Sequence, residues 1–543
     1  MKKNGFLEGA FIATISVIIC KILGLIYVIP FYSIIGEQGG ALYSYAYSIY
    51  SIFLSLATVG IPTAISKIVS EYNALDFQVI KQRAYKIGSK ILICIGISSF
   101  VFLFIFAPQI ARLIKGSADG GNSIESVTLV IRVIATAILI VPSLSIKRGY
   151  LQGHNYMTVP QFSAVIEQLI RVIIVVVGSS VAYKIFHLSL EQTVAIAVFG
   201  ATVGAIFSYV FVDLKIKKHK NEFNLDAPIK EEEKKYNNKI IIKKIVYYAL
   251  PLVLIDLAKS LYDVVDLFTV VRTLTSVGYD VNVAENVFGN ITTWASKLNM
   301  IIISISIGLT ASLIPNIMPS FVKKDFKDVS NKINKSLQLL IILVIPMTVG
   351  LSFLAYPVWN AFYGYNEIGI NLFYVYPFIA LTTCFQGVLV EISQIMNHTK
   401  LSFGSLFLGI IVKFVFNILL MKFLPNFGIE SYYGPVISSI LAQITTIFVV
   451  LICLNKKYQI NYKGTLKILC KTIISVLIML ICLFLLKAII PITNPNRIMS
   501  IVICAIYALF GILIYGLLIL KLKVIPNVSR VKDIKNVYKE MRK

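Results

Sequence analysis

The sequence predicts an all-α integral membrane protein, and three observations support this fold class. Of the 543 residues, 57% are hydrophobic and only 14% are charged, whereas about a quarter of the residues in a soluble domain are charged. Apolar runs of about 20 residues recur from end to end, and each is long enough to cross a hydrocarbon core about 30 Å thick. Most basic residues lie between these runs. A β-barrel would instead show short segments of alternating hydrophobicity.

We predict fourteen transmembrane spans from these apolar runs. They lie at 7–34, 40–68, 88–114, 125–149, 158–184, 189–214, 242–271, 288–316, 336–356, 371–395, 401–423, 433–455, 464–490 and 497–521.

The basic residues predict the orientation of the spans. A net charge of +25 would also suit a nucleic-acid-binding protein, but basic links between apolar runs are typical of the cytoplasmic side of a membrane protein. Alternate links such as GEQGG (36–40) hold no Lys or Arg. We therefore expect no nucleic-acid partner, and a multi-pass protein of the cell (plasma) membrane with both termini in the cytoplasm.

Two self-similarities indicate an internal repeat. DFQVIKQRAYK (76–86) resembles DFKDVSNKINK (325–335), and QGHNYMTVPQFSAVIEQLIR (152–171) resembles QIMNHTKLSFGSLFLGIIVK (394–413). Both matches fall at the same topological place and in the same order, although chance similarity between apolar helices is the alternative. Six spans would then repeat in parallel orientation, a transporter plan in which the substrate lies between the halves.

The repeat predicts two six-helix lobes and two spans outside them. The predicted parts are an N-lobe at 1–214, a cytoplasmic basic linker at 215–241, a C-lobe at 242–456, the last two spans at 457–522 and a basic cytoplasmic tail at 523–543.

Charged residues inside the seventh span are candidate functional residues, because such residues usually face a bundle interior or a water-filled cavity. Asp256, Lys259, Asp263 and Asp266 share an arc of about 80° on a helical wheel. The first three have i,i+3 and i,i+4 spacing, so we expect them to neutralise one another. Asp266 has no partner of this kind and is the stronger candidate for binding a coupling cation or proton.

Other spans carry further buried charges. Glu167 and Arg171 have i,i+4 spacing and are expected to pair. Lys21, Lys297 and Lys413 have no acidic partner within their own spans, and an unpaired buried Lys either loses its proton or finds an anion. Lys21 and Lys297 therefore predict an anionic substrate. The alternatives are snorkelling towards an interface or pairing with a carboxylate of the seventh span.

The sequence lacks the common enzyme motifs. It contains no GxxxxGK[ST], HExxH or GxSxG. Its seven Cys lie in apolar segments and form no CxxC, so we predict no metal site. These observations predict a transporter without catalytic residues or cofactors. Membrane potential, H⁺ or Na⁺ would then have to drive transport.

Three stretches resemble the YtgP/SpoVB branch of the MurJ-type flippases, within the MOP exporter superfamily. They are GGALYSYAYSIYSIFLSLATVGIPTAISKIVSEYN (39–73), VIRVIATAILIVPSLSIKRGYLQGH (130–154) and VIEQLIRVIIVV (165–176). The resemblance implies a monomeric flippase in the lipid bilayer, with cell-wall synthesis machinery as a candidate partner. It implies that lipid II, the undecaprenyl-pyrophosphate-linked peptidoglycan precursor, moves from the inner to the outer leaflet by alternating access. It also implies that 457–522 forms a groove for the lipid tail.

Two family motifs supply candidate pyrophosphate ligands. CKILGLIY (20–27) resembles the helix-1 motif and puts Lys21 at its basic position. ASKLNM (295–300) resembles the helix-8 motif and puts Lys297 at its basic position.

Two other basic positions of the family are not matched. Tyr27 replaces a basic group that some relatives carry, and a helix-2 basic residue has no counterpart in 40–65. Arg171 and Lys413, which the repeat pairs, are therefore hypothesised to supply the missing positive charge.

Three alternative functions stay open. They are a SpoVB-like flippase for spore cortex synthesis, a flippase for another polyprenyl-linked polysaccharide unit, and a MATE-like cation-coupled drug exporter. The exporter is favoured if the acids of the seventh span dominate the site. A membrane scaffold or enzyme subunit is disfavoured, because it would need no unpaired charges buried in its spans.

Overall fold

The computed structural model describes residues 6–116, 120–219, 237–492, 496–522 and 524. Within these ranges the chain forms nineteen α-helices and no strand. Twelve helical segments of this part are long and apolar enough to cross a membrane. The predicted class of an all-α, multi-pass membrane protein is therefore confirmed.

Most helices follow one another with short connections, and two are extended by π-helical turns. They are α1 (Phe6–Ile26), α2 (Val28–Thr58), α3 (Gly60–Ala74), α4 (Gln78–Lys115), α5 (Ile124–Gly153), α6 (Thr158–Ile173), the first π-turn (Ile174–Gly178), α7 (Ser179–Lys184), α8 (Leu190–Lys218), α9 (Asn238–Ser276), α10 (Val281–Gly289), the second π-turn (Asn290–Trp294), α11 (Ala295–Val322), α12 (Phe326–Phe353), α13 (Ala355–Tyr363), α14 (Glu367–Val375), α15 (Pro377–Ile395), α16 (Thr399–Phe423), α17 (Gly434–Tyr458), α18 (Lys463–Ile489) and α19 (Arg497–Lys521).

The predicted total of fourteen spans is not confirmed. The two predicted spans outside the twelve fall on α1, whose apolar part Ile12–Ile26 is shorter, and on α9, which carries the charged stripe. Most of the predicted linker, 220–236, and nearly all of the predicted tail lie outside the described residues.

The predicted link GEQGG (36–40) is shorter than expected. Only Gly36 leaves the helical conformation, with φ 62° and ψ −159°, and α2 continues on both sides of it. Glycine adopts this conformation without a Cβ penalty, which lets the chain change direction within one residue.

Polar residues begin several helices, because the first backbone N–H groups of a helix have no partner inside it. The Ser123 hydroxyl accepts from the backbone N–H of Ser126 at the start of α5. The Asn237 side chain accepts from the backbone N–H of Ile240 and begins α9.

The backbone supports the predicted repeat at one aligned position. Asn155 and Asn397, which the alignment pairs, both have left-handed φ values of 64° and 59°. Each lies shortly before the helix that carries the paired cations, α6 with Arg171 and α16 with Lys413. Such matching turns are what a structural repeat requires.

The chain forms two compact units. The first comprises 1–304 and 397–450, and the second comprises 305–396 and 451–543. Each unit is a region whose residues contact one another more than they contact the rest of the chain, whereas the predicted lobes are defined by the sequence repeat. The lobe boundaries therefore stay a prediction.

In the first unit, α5 packs against α2, α3, α4 and α8, and α6 packs against α1 and α8. The helix α9 packs against α2, α3, α4, α10 and α16. In the second unit, α12 packs against α15 and α18, and α19 packs against α13 and α18. There Asn360 Nδ2 donates to Ser500 Oγ at 2.9 Å, and Tyr515 Oη donates to the carbonyl of Ile342 at 2.6 Å.

Two glycines allow close helix contacts in the first unit. A Cβ at Gly204 of α8 would lie 2.6 Å from the carbonyl oxygen of Glu167 in α6. A Cβ at Gly409 of α16 would lie 2.1 Å from Tyr262 Oη and 2.6 Å from Thr446 Oγ1. Small residues at helix interfaces are the usual means of close packing in membranes, where apolar burial does not drive association.

We predict that Gly409→Ala lowers the stability of the purified protein by about 1–3 kcal/mol, because overpacking forces neighbouring atoms to move. The matched control is Gly404→Ala in the same helix, where an added Cβ would meet nothing within 4 Å. Thermal unfolding in detergent compares the two. Equal melting temperatures for both variants would show that the contact at Gly409 is not tight.

Candidate functional site

Lys21 and Lys297, predicted from separate motifs, lie close together in the first unit. Lys21 Nζ lies 3.0 Å from Sδ of Met300, which is one helical turn beyond Lys297 on α11. The two ammonium groups are near enough to interact electrostatically. Among the described residues neither has a carboxylate within 4 Å. The pair is therefore a local excess of positive charge.

The second π-turn fixes the start of α11, which carries Lys297. The hydroxyl of Thr293, in this π-turn, lies 2.5 Å from the hydroxyl of Ser44 on α2. A Cβ added at Gly40 of α2 would lie only 2.5 Å from Nε1 of the Trp294 ring. The helix α2 and the π-turn are therefore in close contact. Single π-helical turns inside helices occur often at functional sites.

Four tyrosines, which we call the tyrosine ladder (Tyr27, Tyr43, Tyr47 and Tyr50), begin beside Lys297. Lys297 Nζ lies 5.6 Å from the centre of the Tyr27 ring, within cation–π range. The Tyr27 and Tyr43 hydroxyls are 3.4 Å apart. Ring centres are 4.3 Å apart for Tyr43 and Tyr47, and 5.9 Å apart for Tyr47 and Tyr50. The last three occupy one face of α2, because their spacing is close to whole helical turns.

An arginine cluster, Arg148–Glu167–Arg171, lies near the Tyr47 and Tyr50 members of the ladder. Arg171 donates to Glu167 Oε1 at 2.7 Å, which confirms the predicted pair. Arg148 donates to the other oxygen, Oε2, at 2.9 Å. It also donates to the hydroxyls of Ser163 and Ser208, each at 2.8 Å.

We did not predict Arg148 as a site residue. A basic residue near the end of a predicted span is expected in the polar region beside the membrane. The partners of Arg148 belong to two other helices, α6 and α8. Its position in one of the stretches that resemble the flippase family was the only signal in the sequence.

Asp266 and Lys413 form a buried ion pair in the first unit. Lys413 Nζ lies 2.5 Å from Asp266 Oδ2, with side-chain exposures of 3% and 5%. Lys413 also donates to Ser439 Oγ at 2.9 Å, and Asn417 Nδ2 donates to Asp266 Oδ1 at 3.0 Å. We hypothesised that Lys413 supplies positive charge to the pyrophosphate, but in the structure its ammonium is already paired with the Asp266 carboxylate.

Further polar groups complete this buried network. Asn417 donates to Thr269 Oγ1 at 2.7 Å and accepts from Ser438 Oγ at 2.9 Å. The network joins α9, α16 and α17. Such a network stabilises one arrangement of the three helices, because every polar group that loses its partner is costly in a low dielectric.

The expected ion cluster of Asp256, Lys259 and Asp263 is not formed. No salt bridge links these three in the described part of the chain. The side chains of Lys259 and Asp263 are exposed, and Asp256 is half-buried. A spacing of i,i+3 or i,i+4 shows which side chains can meet, and it does not by itself bring these three together.

The comparisons with known proteins place this chain in a family. Residues 6–321 match the family of polysaccharide biosynthesis proteins. The lipid II flippase MurJ of Bacillus subtilis (strain 168) is 31% identical over 466 residues, which are 85% of this chain and 84% of that protein. The chain belongs to the polysaccharide biosynthesis protein family, among its MurJ-type flippases.

Two further comparisons agree with this membership. The stage V sporulation protein B of Bacillus subtilis (strain 168) is 26% identical over 419 residues, 76% of this chain and 77% of that protein. A solved structure of a lipid II flippase MurJ in an inward closed conformation has a TM-score of 0.65 at 14% identity, covering 94% of this chain and 98% of that chain. The resemblance found in the sequence is confirmed.

Membership in the family makes the protein a multi-pass membrane transporter of the flippase type rather than an enzyme. Among the described residues no group of three or more His, Cys, Asp or Glu side chains could hold a metal ion.

We predict that Asp266→Asn and Lys413→Met each lower stability by about 3–5 kcal/mol, because each leaves one buried charge without its partner. The double variant Asp266→Asn/Lys413→Met is expected to recover most of the loss, because both charges are gone. Unfolding of the purified variants in detergent measures the coupling. Additive losses in the double variant would mean that the two side chains do not depend on each other.

Proposed function

We propose that this flippase moves an undecaprenyl-pyrophosphate-linked peptidoglycan precursor, lipid II, from the inner to the outer leaflet by alternating access. The observation that carries the proposal is the Lys21–Lys297 pair, two neighbouring cations without an acidic partner among the described residues. Its strongest support from outside the structure is the likeness to the MurJ flippase.

The chemistry of the pair suits a pyrophosphate. Lys21 and Lys297 are half-buried, and a charge withdrawn from water is stabilised by a partner of opposite sign. A pyrophosphate carries at least two negative charges. Lys presents a compact, strongly hydrated ammonium rather than the rigid fork of Arg. Such a group suits a ligand that must be captured on one side of the membrane and released on the other.

Lys413 has a different role in this proposal. Its ammonium is held by Asp266 and Ser439, so we assign it to the coupling machinery rather than to the pyrophosphate. We also propose that it takes the place of the coupling cation expected beside Asp266. Transport would then need no Na⁺, and membrane potential or H⁺ would drive it.

The proposed architecture follows the sequence. Two lobes at 1–214 and 242–456 alternate around the substrate, and the spans at 457–522 accommodate the lipid tail. The basic links support cytoplasmic termini. A polyprenyl tail that stays in lipid suits the large apolar side chains exposed on α18 and α19, such as Leu485 and Leu513.

A second candidate function is transport of the same kind of precursor for spore cortex synthesis. It is favoured by the 26% identity to stage V sporulation protein B. A flippase for another polyprenyl-linked polysaccharide would use the same pyrophosphate site. A cation-coupled drug exporter is less favoured, because Asp266 is already neutralised by Lys413.

We predict that the protein restores growth to a bacterial strain depleted of its own lipid II flippase. Lys21→Ala and Lys297→Ala should each lower lipid II exposure on the outer leaflet by about tenfold or more, the usual effect of losing a hydrogen bond to a charged group. Lys184→Ala, at an exposed lysine at the end of α7, is the control. Full activity of both site variants would overturn the assignment of the pyrophosphate site.

We predict that flipping in proteoliposomes is unchanged when K⁺ replaces Na⁺, because Lys413 already neutralises Asp266. Collapse of the membrane potential or of the proton gradient should slow it, since a charge crossing 100 mV gains about 2.3 kcal/mol. A strict requirement for Na⁺ would contradict the assigned role of Lys413.

A further inference from the structure

The arginine cluster carries an uncompensated positive charge of its own. Arg148 and Arg171 donate to the two oxygens of a single carboxylate, Glu167. Among the described residues neither guanidinium has a second carboxylate within 4 Å. Two cations and one anion leave a net charge of about +1 in a half-buried setting.

Three buried polar atoms in and beside the cluster have unused hydrogen-bonding capacity. Nε of Arg171 and the hydroxyl oxygen of Tyr50 are buried and have no hydrogen-bond partner among the described residues. The Tyr47 hydroxyl lies near that of Tyr43 and makes no hydrogen bond of good geometry there. The two tyrosines are near enough to interact electrostatically with Arg171, and Tyr50 is 2% exposed. Buried polar groups in proteins are nearly always hydrogen-bonded. Three that converge at one positive centre indicate a polar ligand group.

The position of the cluster relates it to the lysine pair. Cys20, the residue before Lys21 on α1, lies near all three members of the cluster, and α1 packs against α6, which carries Glu167 and Arg171. The tyrosine ladder leads from Tyr27 beside Lys297 to Tyr50. One extended substrate can therefore reach both centres.

We propose that Arg148–Glu167–Arg171, with the hydroxyls of Tyr47 and Tyr50, forms a second anion subsite that binds a single carboxylate of the substrate's peptide. The inference rests on the proposed function, in which Lys21 and Lys297 hold the pyrophosphate.

Charge and geometry favour a carboxylate here. A net charge of about +1 matches a monovalent anion, whereas the two lysines match a pyrophosphate. Guanidinium N–H groups recognise planar carboxylates well, and two neighbouring hydroxyls add donors to the same oxygens. A peptide-bearing precursor carries such carboxylates, and a bare polyprenyl pyrophosphate does not.

Two ligands that differ only in charge test this subsite. The affinity of the purified full chain is measured for lipid II and for lipid II with its peptide carboxylates amidated. Wild type should bind lipid II about tenfold more tightly or better, as expected for hydrogen bonds to a charged group. Tyr50→Phe, which keeps the ring, should reduce this ratio, and Arg171→Gln should bring it close to one.

The controls separate this inference from the proposed function. Tyr183→Phe removes an exposed tyrosine hydroxyl on α7 and should leave the ratio unchanged. Because the readout is a ratio of affinities, a partly unfolded sample does not change it. A wild-type ratio near one, or an unchanged ratio in both Tyr50→Phe and Arg171→Gln, would overturn the subsite. If Lys21→Ala leaves binding of undecaprenyl pyrophosphate intact, the proposed function fails instead.

Discussion

A charge inside the hydrocarbon region of a membrane costs about 3 kcal/mol or more unless it has a partner or reaches water. The charges of the first unit meet this constraint to three different degrees. Lys413 is fully neutralised by Asp266, with amide and hydroxyl groups around the pair. Glu167 neutralises only one of its two arginines. Lys21 and Lys297 lie near each other, and neither has an acidic side chain within 4 Å among the described residues. A fully neutralised charge therefore marks a structural position, and a charge that is neutralised in part or not at all marks a candidate substrate position.

Helix packing brings these charges into place. Gly204 lets α8 approach the backbone of Glu167, and Gly409 lets α16 approach Tyr262 and Thr446 next to the Asp266 network. The second π-turn anchors the start of α11 to α2, so that Lys297 faces Tyr27. The close contacts therefore do more than stabilise the fold, because they set the distances between charges on different helices.

Local patterns in the sequence were enough to predict the helical class, most span positions and the Glu167–Arg171 pair, since these depend on residues a few positions apart. The Asp266–Lys413 pair joins two helices far apart in the chain, so helical spacing did not reveal it. Arg148 was missed for the same reason. The expected cluster at Asp256, Lys259 and Asp263 was wrong, because helical spacing shows which side chains can meet without requiring that they do.

The central claim is that Lys21 and Lys297 together recognise a pyrophosphate. The most direct measurement is the affinity of the purified protein for undecaprenyl pyrophosphate and for undecaprenyl phosphate. Wild type is expected to prefer the pyrophosphate, because two ammonium groups match its additional charge. The double variant Lys21→Gln/Lys297→Gln is expected to lose that preference. A double variant that keeps the wild-type preference would contradict the claim.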